Sequence, residues 1–515
     1  MLFGSAPQSL DPALDYSYQG FEINWLVYTG LTTYAHRSGL AGTEVIPGLA
    51  TALPRISDGG RTYTATLRKG LRFSNGAPVV ASDFTYAVER ALSIPWGGAG
   101  EFIAPVIKGA AAYAAHKAKT ISGISTDNAT GRIVIHLTAP YGPFDNVLGF
   151  PALGPIPAGS PMKVEASSPP PGVGPYMVKN VNPNVAFQIV KNPFYDAHPI
   201  PGIPTGSLNY QAKINANVEA NALAVLSNRA DIFDFGDTVP GSLLSKIHSQ
   251  AGNRFSMVET GNATSYIFLN AHRPPFNSLD AREAVEVGLN EPAFNHLDSD
   301  ALTPGCFFLS PNVPGYSTGK CPYGNPNGGG NLAKAKQLVK ASGQANVPIT
   351  VYSEEGPPFA AWMTYYTSYL QQIGFKHVSL KLINDGNYLS VIGQSRTLDP
   401  QTGYNNWLED FPNPVDYYGV LLDGDAISQT NNENFSMAND PHINGQVAKL
   451  GPVPTTALST VAKQWQALDY YVAQKAYVVV FGYQKFPFFS SSRIQRRSSM
   501  INDIYGWDLT QLGLR

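Results

Sequence analysis

Residues 46–84 read IPGLATALPRISDGGRTYTATLRKGLRFSNGAPVVASDF, and they determine the class of fold that we predict. From Arg61 to Phe73 apolar and polar side chains alternate, which is typical of a β-strand with one buried face. Ser74-Asn75-Gly76 then ends the strand with turn-forming residues. Ser82 or Asp83 is predicted to cap a helix, because apolar residues follow at helical spacing. A strand that leads into a helix in this way indicates a mixed fold.

The same mixture of elements continues along the rest of the chain. The predicted strands are Ile133–Leu137, Pro348–Tyr352, Val378–Ile383 and Tyr477–Phe481, and the predicted helices are Asn217–Arg229, Asn331–Gly343, Ala360–Ile373 and Ser459–Ala476. This alternation predicts α/β or α+β lobes. A chain of 515 residues is too long for one core and suggests roughly three domains.

Composition excludes several classes of function. Hydrophobic residues make up 43% of the chain, which is ample for packed cores. A net charge of −2, from 35 basic and 37 acidic residues, argues against a nucleic-acid partner, because such a surface needs a basic field. No apolar run reaches the length of about 18 residues expected of a membrane span. The nine His residues are scattered, so neither a metal site nor a cofactor is predicted.

Enzyme signatures are missing, and no catalytic residue is predicted. The segment nearest to a G-x-S-x-G nucleophile elbow is Gly393–Thr397, which lacks the second glycine. Gly172–Pro175 begins like a dinucleotide-binding loop but places proline where an amide donor is needed. Because catalytic triads are assembled in space, a secreted hydrolase stays as an alternative.

Two cysteines, Cys306 and Cys321, lie close together in a segment rich in Gly, Pro and Asn. Two thiols without a neighbouring His cannot form a structural zinc site. A local disulfide is the favoured interpretation, and it indicates an oxidising compartment. Two reduced thiols in a cytosolic protein are the alternative.

The N-terminus, Met1-Leu2-Phe3, has no basic region of the kind that opens a signal peptide. If the protein is exported, we expect the export segment, with any lipid anchor, to be absent from this chain.

Short segments in a characteristic order give the chain a family resemblance. They are Ser9–Pro12, Tyr28–Leu31, the block 46–84, Gly172–Tyr176, Lys191–Tyr195 and Asp280–Ala284. Together they resemble the family 5 solute-binding proteins of ABC importers, which include receptors for peptides, dipeptides, nickel and oligosaccharides. Because the matches extend over essentially the whole chain, the resemblance covers all of the predicted domains.

The resemblance implies a two-lobed, periplasmic-binding-protein-like fold that closes around its ligand by a hinge. It implies a discontinuous lobe I (1–44, 168–263 and 484–515), an extra smaller domain (45–167) and a lobe II (264–483). It also implies a monomer on the periplasmic or extracellular face of the membrane that delivers its ligand to an importer permease. A receptor that signals or acts as a chaperone on the same fold is an alternative.

One segment, Asn406–Pro414, resembles the ligand-binding motif of the family. Its two prolines are expected to hold a stiff, extended backbone, and Trp407 and Phe411 offer large apolar faces. The resemblance implies that Asp410 binds the α-amino group of a peptide through a charge-assisted hydrogen bond. The alternative is that Trp407 packs inside the lobe and Asp410 caps a turn.

Further ligand contacts are predicted on both sides of the cleft. They are Tyr404, Asn405 and Asn406 in lobe II, and Tyr16, Ser17, Tyr18 and Gln19 in lobe I. The polar members would orient a ligand and the aromatic ones would supply contact area. Asn413 stands where the family motif has Asp, which keeps a neutral oligosaccharide open as an alternative to a peptide.

Overall fold

The computed structural model describes residues 1–94, 96–237, 239, 241–260, 263–384, 386–495 and 500–515, without the side chains of 241 and 242. The chain divides into two compact units. Unit 1 contains Met1–Val258, Pro452–Thr456 and Phe486–Arg515, and unit 2 contains Glu259–Gly451 and Ala457–Lys485.

Strands and helices alternate along both units. The strands are β1 (Leu2–Phe3), β2 (Thr32–Tyr34), β3 (Val45–Pro47), β4 (Arg55–Ser57), β5 (Thr62–Thr66), β6 (Ile124–Asp127), β7 (Arg132–His136), β8 (Tyr176–Asn182), β9 (Ala186–Lys191), β10 (Tyr210–Ile214), β11 (Phe255–Val258), β12 (Ala263–Leu269), β13 (Leu302–Thr303), β14 (Ile349–Glu354), β15 (Val378–Ile383), β16 (Thr402–Leu408), β17 (Val478–Gln484), β18 (Phe486–Phe489), β19 (Ile494–Gln495), β20 (Ile501–Asn502), β21 (Gly506–Trp507) and β22 (Gly513–Leu514). The α-helices are α1 (Tyr18–Val27), α2 (Ala81–Ser93), α3 (Ala110–Ala114), α4 (Phe144–Val147), α5 (Val218–Leu226), α6 (Gly241–Ala251), α7 (Leu279–Gly288), α8 (Glu291–Leu297), α9 (Leu332–Ser342), α10 (Phe359–Ile373), α11 (Tyr388–Ile392), α12 (Val415–Leu421), α13 (Pro441–Leu450) and α14 (Ala462–Lys475).

Unit 1 contains two four-stranded sheets, in the orders β1-β10-β9-β8 and β4-β5-β7-β6. The strand predicted over Arg61–Phe73 is present only in its first half, as β5, which ends at Thr66, and the predicted turn is present with Gly76 at φ +86°. The predicted helix cap is wrong, because α2 begins at Ala81 and both Ser82 and Asp83 lie inside its first turn. Asp83 still satisfies the helix start, since its carboxylate accepts a hydrogen bond from Val80 N at 2.8 Å.

Unit 2 is built on a six-stranded sheet in the order β13-β17-β12-β16-β14-β15. Every residue of the internal strand β12 is buried, including the polar Thr264 and Ser265. The neighbouring β17 is likewise buried apart from its last residue. The internal strands β12 and β16 pair antiparallel, and β14 pairs parallel to both β15 and β16.

The helices of unit 2 follow the sequence signals closely. Asn331 caps α9 by accepting a hydrogen bond from Lys334 N, and Gly343 ends the helix with φ +68°. Gly374 ends α10 in the same left-handed conformation. The helix predicted from Ser459 starts later, at Ala462, because a 3-10 turn precedes it. The prediction of a mixed helix and strand fold is confirmed.

The predicted extra domain, residues 45–167, lies within unit 1, and its independence as a domain stays a prediction. Within the described ranges, no helix combines the length and the apolar character that crossing a bilayer requires.

Candidate functional site

The predicted ligand segment begins in the sheet of unit 2 and ends at a helix. Asn406 and Trp407 belong to β16, where Trp407 lies opposite Thr264 of β12. Residues 409–414 then connect this strand to α12. Pro414, the residue before α12, has φ −57° and ψ −22°, which is a helical backbone conformation. The expectation that both prolines keep the segment extended is therefore wrong at Pro414.

A buried carboxylate, Asp416, holds two parts of this segment in place. Its Oδ2 accepts a hydrogen bond from Trp407 Nε1 at 3.1 Å and another from Asp410 N at 3.0 Å. Asp416 is 1% exposed, whereas Trp407 and Asp410 both remain partly exposed. One buried acceptor thus holds the Trp407 indole and the backbone of Asp410.

Sequence reasoning missed Asp416. The available signal was an acidic residue in the first turn of a helix that starts after Pro414, a place where a carboxylate is favourable. That signal predicts a role at the helix terminus and gives no indication of the bond to Trp407.

The other predicted residues of unit 2 are mostly buried. Phe411 is 0% exposed, and Tyr404 is 4% exposed with its ring 4.8 Å from that of Phe359. Asn405 donates from Nδ2 to the Tyr266 hydroxyl at 2.7 Å. Asn406 is partly exposed. The solvent-accessible part of the segment is therefore formed by Asn406, Trp407, Leu408 and Asp410, and the ligand-binding role of the predicted residues stays a prediction.

The predicted contacts Tyr16–Gln19 lie in unit 1, at the start of α1. Ser17 caps this helix, since its Oγ accepts a hydrogen bond from Gly20 N at 3.2 Å. Gln19 donates from Nε2 to Asp234 Oδ2 at 3.3 Å. The two tyrosines are partly exposed, and each packs edge-on against aromatic neighbours. Their ligand-binding role also stays a prediction.

A group of buried carboxyls adjoins Gln19 in unit 1 and was not predicted. Burial, with repulsion from Asp234 as the second cause, raises the pKa of Glu22 well above its usual range. Burial and repulsion from Asp237 raise the pKa of Asp234 in the same way. Burial raises the pKa of Asp237 to about 6. The group therefore carries less than its full negative charge at neutral pH.

The two cysteines form the predicted disulfide, Cys306–Cys321, in unit 2. Among the residues that the structure describes, no group of three or more His, Cys, Asp or Glu side chains is arranged to hold a metal ion.

Comparison with known proteins identifies relatives along nearly the whole chain. The probable D,D-dipeptide-binding periplasmic protein DdpA of Escherichia coli (strain K12) is 24% identical over 493 residues, covering 92% of this chain and 86% of the relative. The solved structure of clavulanic acid biosynthesis oligopeptide binding protein 2 superposes with a TM-score of 0.89 at 21% identity, covering 100% of this chain and 94% of the other.

A periplasmic binding protein DppA from Helicobacter pylori, solved in complex with the peptide STSA, superposes with a TM-score of 0.71 at 19% identity, covering 100% of this chain and 97% of the other. These structural likenesses confirm the periplasmic-binding-protein-like fold. The family model of bacterial extracellular solute-binding proteins, family 5 (middle part), matches residues 44–429. This match covers well over half of the chain, and the protein therefore belongs to family 5 of the bacterial extracellular solute-binding proteins.

Proposed function

We propose that this protein is an extracytoplasmic receptor that captures a peptide in a cleft between its lobes and delivers it to an ABC importer. The observation that carries the proposal is the pair of partly exposed residues Trp407 and Asp410, whose indole Nε1 and backbone N both donate to Asp416 Oδ2. The names of the relatives support the choice of ligand, since they describe a D,D-dipeptide-binding and an oligopeptide-binding protein.

In the proposed complex, the Asp410 carboxylate binds the ammonium group of the peptide and Trp407 covers an adjacent apolar part of it. A hydrogen bond between two charged groups is about twice as strong as a neutral one. An indole adds a large contact area with few rotatable bonds. Trp407 lies in β16 and Asp410 follows two residues after its end, and both donate to Asp416, so little conformational entropy is lost when the ligand binds.

Asn413 gives no argument for a neutral oligosaccharide over a peptide. It is 0% exposed, and its Oδ1 accepts a hydrogen bond from Val415 N at 3.0 Å at the start of α12. The change from the Asp of the family motif to Asn therefore falls on a buried capping position, where either side chain is a suitable acceptor.

The test is calorimetric titration of a panel of short peptides, each with a free and with an acetylated amino terminus. We expect binding of the free peptides and at least about 30-fold weaker binding after Asp410→Ala, because truncating one partner of a charge pair costs about 2 kcal/mol or more. Asp425→Ala, which removes an exposed carboxylate of the same unit, is the matched control. Equal affinity of the free and acetylated peptides, or of Asp410→Ala and the native chain, contradicts the role of Asp410.

Delivery to an importer requires an extracytoplasmic location, which the Cys306–Cys321 disulfide supports. We expect the protein to be a monomer that becomes more compact on binding, measured as a smaller radius of gyration in X-ray scattering when the peptide is added. Product formation from a panel of peptides and glycosides, followed by mass spectrometry, would instead support the alternative of a secreted hydrolase.

A further inference from the structure

Unit 2 contains a cavity of about 300 Å³. None of the residues that line it belongs to the segment that carries Trp407 and Asp410. Its wall is formed by the end of α7, the start of α8, the Cys306–Cys321 disulfide and the glycine-rich segment 324–331. A volume of this size is at the lower end of the range of small-molecule sites. We call it the Glu286 cavity.

Glu286, on the last turn of α7, lines the cavity with a carboxyl that lacks a hydrogen-bond donor. The residue is 7% exposed, and its Oε2 has no hydrogen-bond partner among the described residues. Burying a carboxylate without a donor or a cation is costly, since the group loses its hydration without replacement. A bound cation would remove this cost.

A second carboxyl, Glu291, lines the same cavity and is 8% exposed. The hydroxyl of Tyr323 also lies in the wall, but it bonds to the Gln474 carbonyl and lies 3.1 Å from Glu283 Oε1. The nearby Arg282 donates to the Phe276 and Lys475 carbonyls. Neither group therefore neutralises the two carboxyls of the cavity.

The rest of the wall is partly apolar. Val287, Leu289, Pro326 and the disulfide contribute apolar surface. Gly330, with φ +69°, brings the backbone of the glycine-rich segment against the Leu289 carbonyl, where any side chain would collide. The cavity therefore combines a doubly acidic end with an apolar lining.

We propose that the Glu286 cavity binds a primary ammonium group on a short aliphatic chain, with the ammonium at Glu286 and Glu291 and the chain against the apolar wall. A bare divalent cation fits less well. Calcium takes six to eight oxygen ligands, and the described residues around the cavity offer no group of three metal-ligating side chains. This site is separate from the proposed peptide site and does not depend on it.

The ionisation of the two carboxyls supports this assignment. Burial raises the pKa of Glu291 to about 8, and burial together with repulsion from Glu291 raises the pKa of Glu286 well above its usual range. The surrounding Tyr323, Tyr365 and Tyr369 have raised pKa values and stay neutral, while Glu283 and Arg282 flank the cavity. Ammonium binding must therefore release protons near neutral pH, and we expect the affinity to rise between pH 6 and about 9.

The test is calorimetric titration of the full chain with n-butylammonium chloride, with 1-butanol as the neutral probe of the same shape. We expect saturable binding of butylammonium only, with a heat that changes with the ionisation enthalpy of the buffer. We expect Glu286→Gln to weaken binding at least tenfold. Glu355→Gln, which changes an exposed carboxylate of the same unit outside the cavity wall, is the matched control and should leave binding unchanged.

The proposal is overturned if butylammonium does not bind saturably, or if 1-butanol binds equally well. It is also overturned if calcium binds in place of butylammonium and Glu286→Gln abolishes that calcium binding. If Glu286→Gln fails to fold, Glu291→Gln and the pH dependence of the native chain test the same point. Peptide binding at Asp410 should be unchanged in both variants, so failure of one proposal is distinguishable from failure of the other.

Discussion

Asp416 is expected to affect both stability and ligand binding, because its Oδ2 accepts hydrogen bonds from both Trp407 Nε1 and Asp410 N. We expect Asp416→Ala to lower the free energy of unfolding by about 1–3 kcal/mol, since two donors lose their acceptor. Peptide affinity should also fall, because the indole and the Asp410 backbone are no longer held. Urea unfolding and peptide titration measure the two effects.

Asp416→Asn is the matched control for this substitution. It keeps an acceptor oxygen at nearly the same place, so it should lose less of both stability and affinity than Asp416→Ala. If Asp416→Ala is destabilised but binds peptides as the native chain does, the proposed contact of Trp407 with the ligand is wrong.

For single residues, sequence patterns predict which side chains belong to the candidate segment better than they predict what those side chains contact. Trp407 and Asp410 were predicted from the resemblance, but Asp416 acts through a bond that exists only once α12 has formed. The complete burial of Phe411 was not predictable either, because aromatic residues serve cores and binding sites equally well.

One carboxylate of α14 makes several of the hydrogen bonds between this helix and the disulfide-bearing segment of unit 2. Asp469 on α14 accepts hydrogen bonds from Phe308 N, Leu309 N and Ser317 N, and from the Tyr418 hydroxyl at 2.7 Å. We expect Asp469→Ala to lower the free energy of unfolding by about 3 kcal/mol or more, because several buried donors are left unpaired. The loss is measurable by urea unfolding, and an effect below 1 kcal/mol would contradict this role.

The disulfide stabilises the same segment by a different route. Replacing both Cys306 and Cys321 by Ser should lower the free energy of unfolding by about 3 kcal/mol, because the unfolded chain regains the freedom of the closed loop. When the two cysteine substitutions are combined with Asp469→Ala, the loss in the free energy of unfolding should differ from the sum of the separate losses, since both changes act on one segment. Strict additivity in a double-mutant cycle would show that the bonds of Asp469 form independently of the disulfide.

At the scale of elements, local signals were sufficient where a cap or a breaker lies next to a periodic segment. Asn331 and Gly343 predicted both ends of α9 because each acts on the adjacent backbone. The prediction of a cap at Ser82 or Asp83 was wrong, because the third residue of a helix can also accept a hydrogen bond from a backbone N–H at the helix start, as Asp83 does from Val80 N. The late start of α14 had no such signal, since a 3-10 turn and an α-helix have similar sequence preferences.

Buried acids should make the stability of the whole molecule depend on pH in an unusual direction. Burial raises the pKa of Asp15 and of Asp298 to about 7, and that of Asp469 to about 6. The folded chain therefore binds more protons than the unfolded chain above pH 4, so stability falls as the pH rises from about 4 to 7. Urea unfolding at pH 5 and pH 8 measures this dependence.

Asp15→Asn should make the dependence shallower, because it removes one of the carboxyls with a raised pKa, while its amide oxygen still accepts from one of the two donors, Ser17 Oγ or Asn24 Nδ2. A chain that is more stable at pH 8 than at pH 5 would contradict the prediction.

The family was predictable at this scale because its short motifs are spread over the whole chain, and their order survives local changes. The brief return of the chain to unit 1 at Pro452–Thr456 was not predictable. It includes a backbone bond from Thr455 N to the Gly142 carbonyl, which depends on no side-chain pattern.

The interrupted course of the chain affects how the protein is made. Strand β11 of unit 1 pairs with β18, so Phe255–Val258 leave the ribosome long before Phe486–Phe489. Trp507, which is 0% exposed and donates from its backbone N to Glu22 Oε1, arrives later still. The residues of unit 2 are therefore all present once Lys485 has been added, whereas β11 lacks its partner strand until Phe486–Phe489 follow, and Glu22 lacks its Trp507 donor until residue 507 follows.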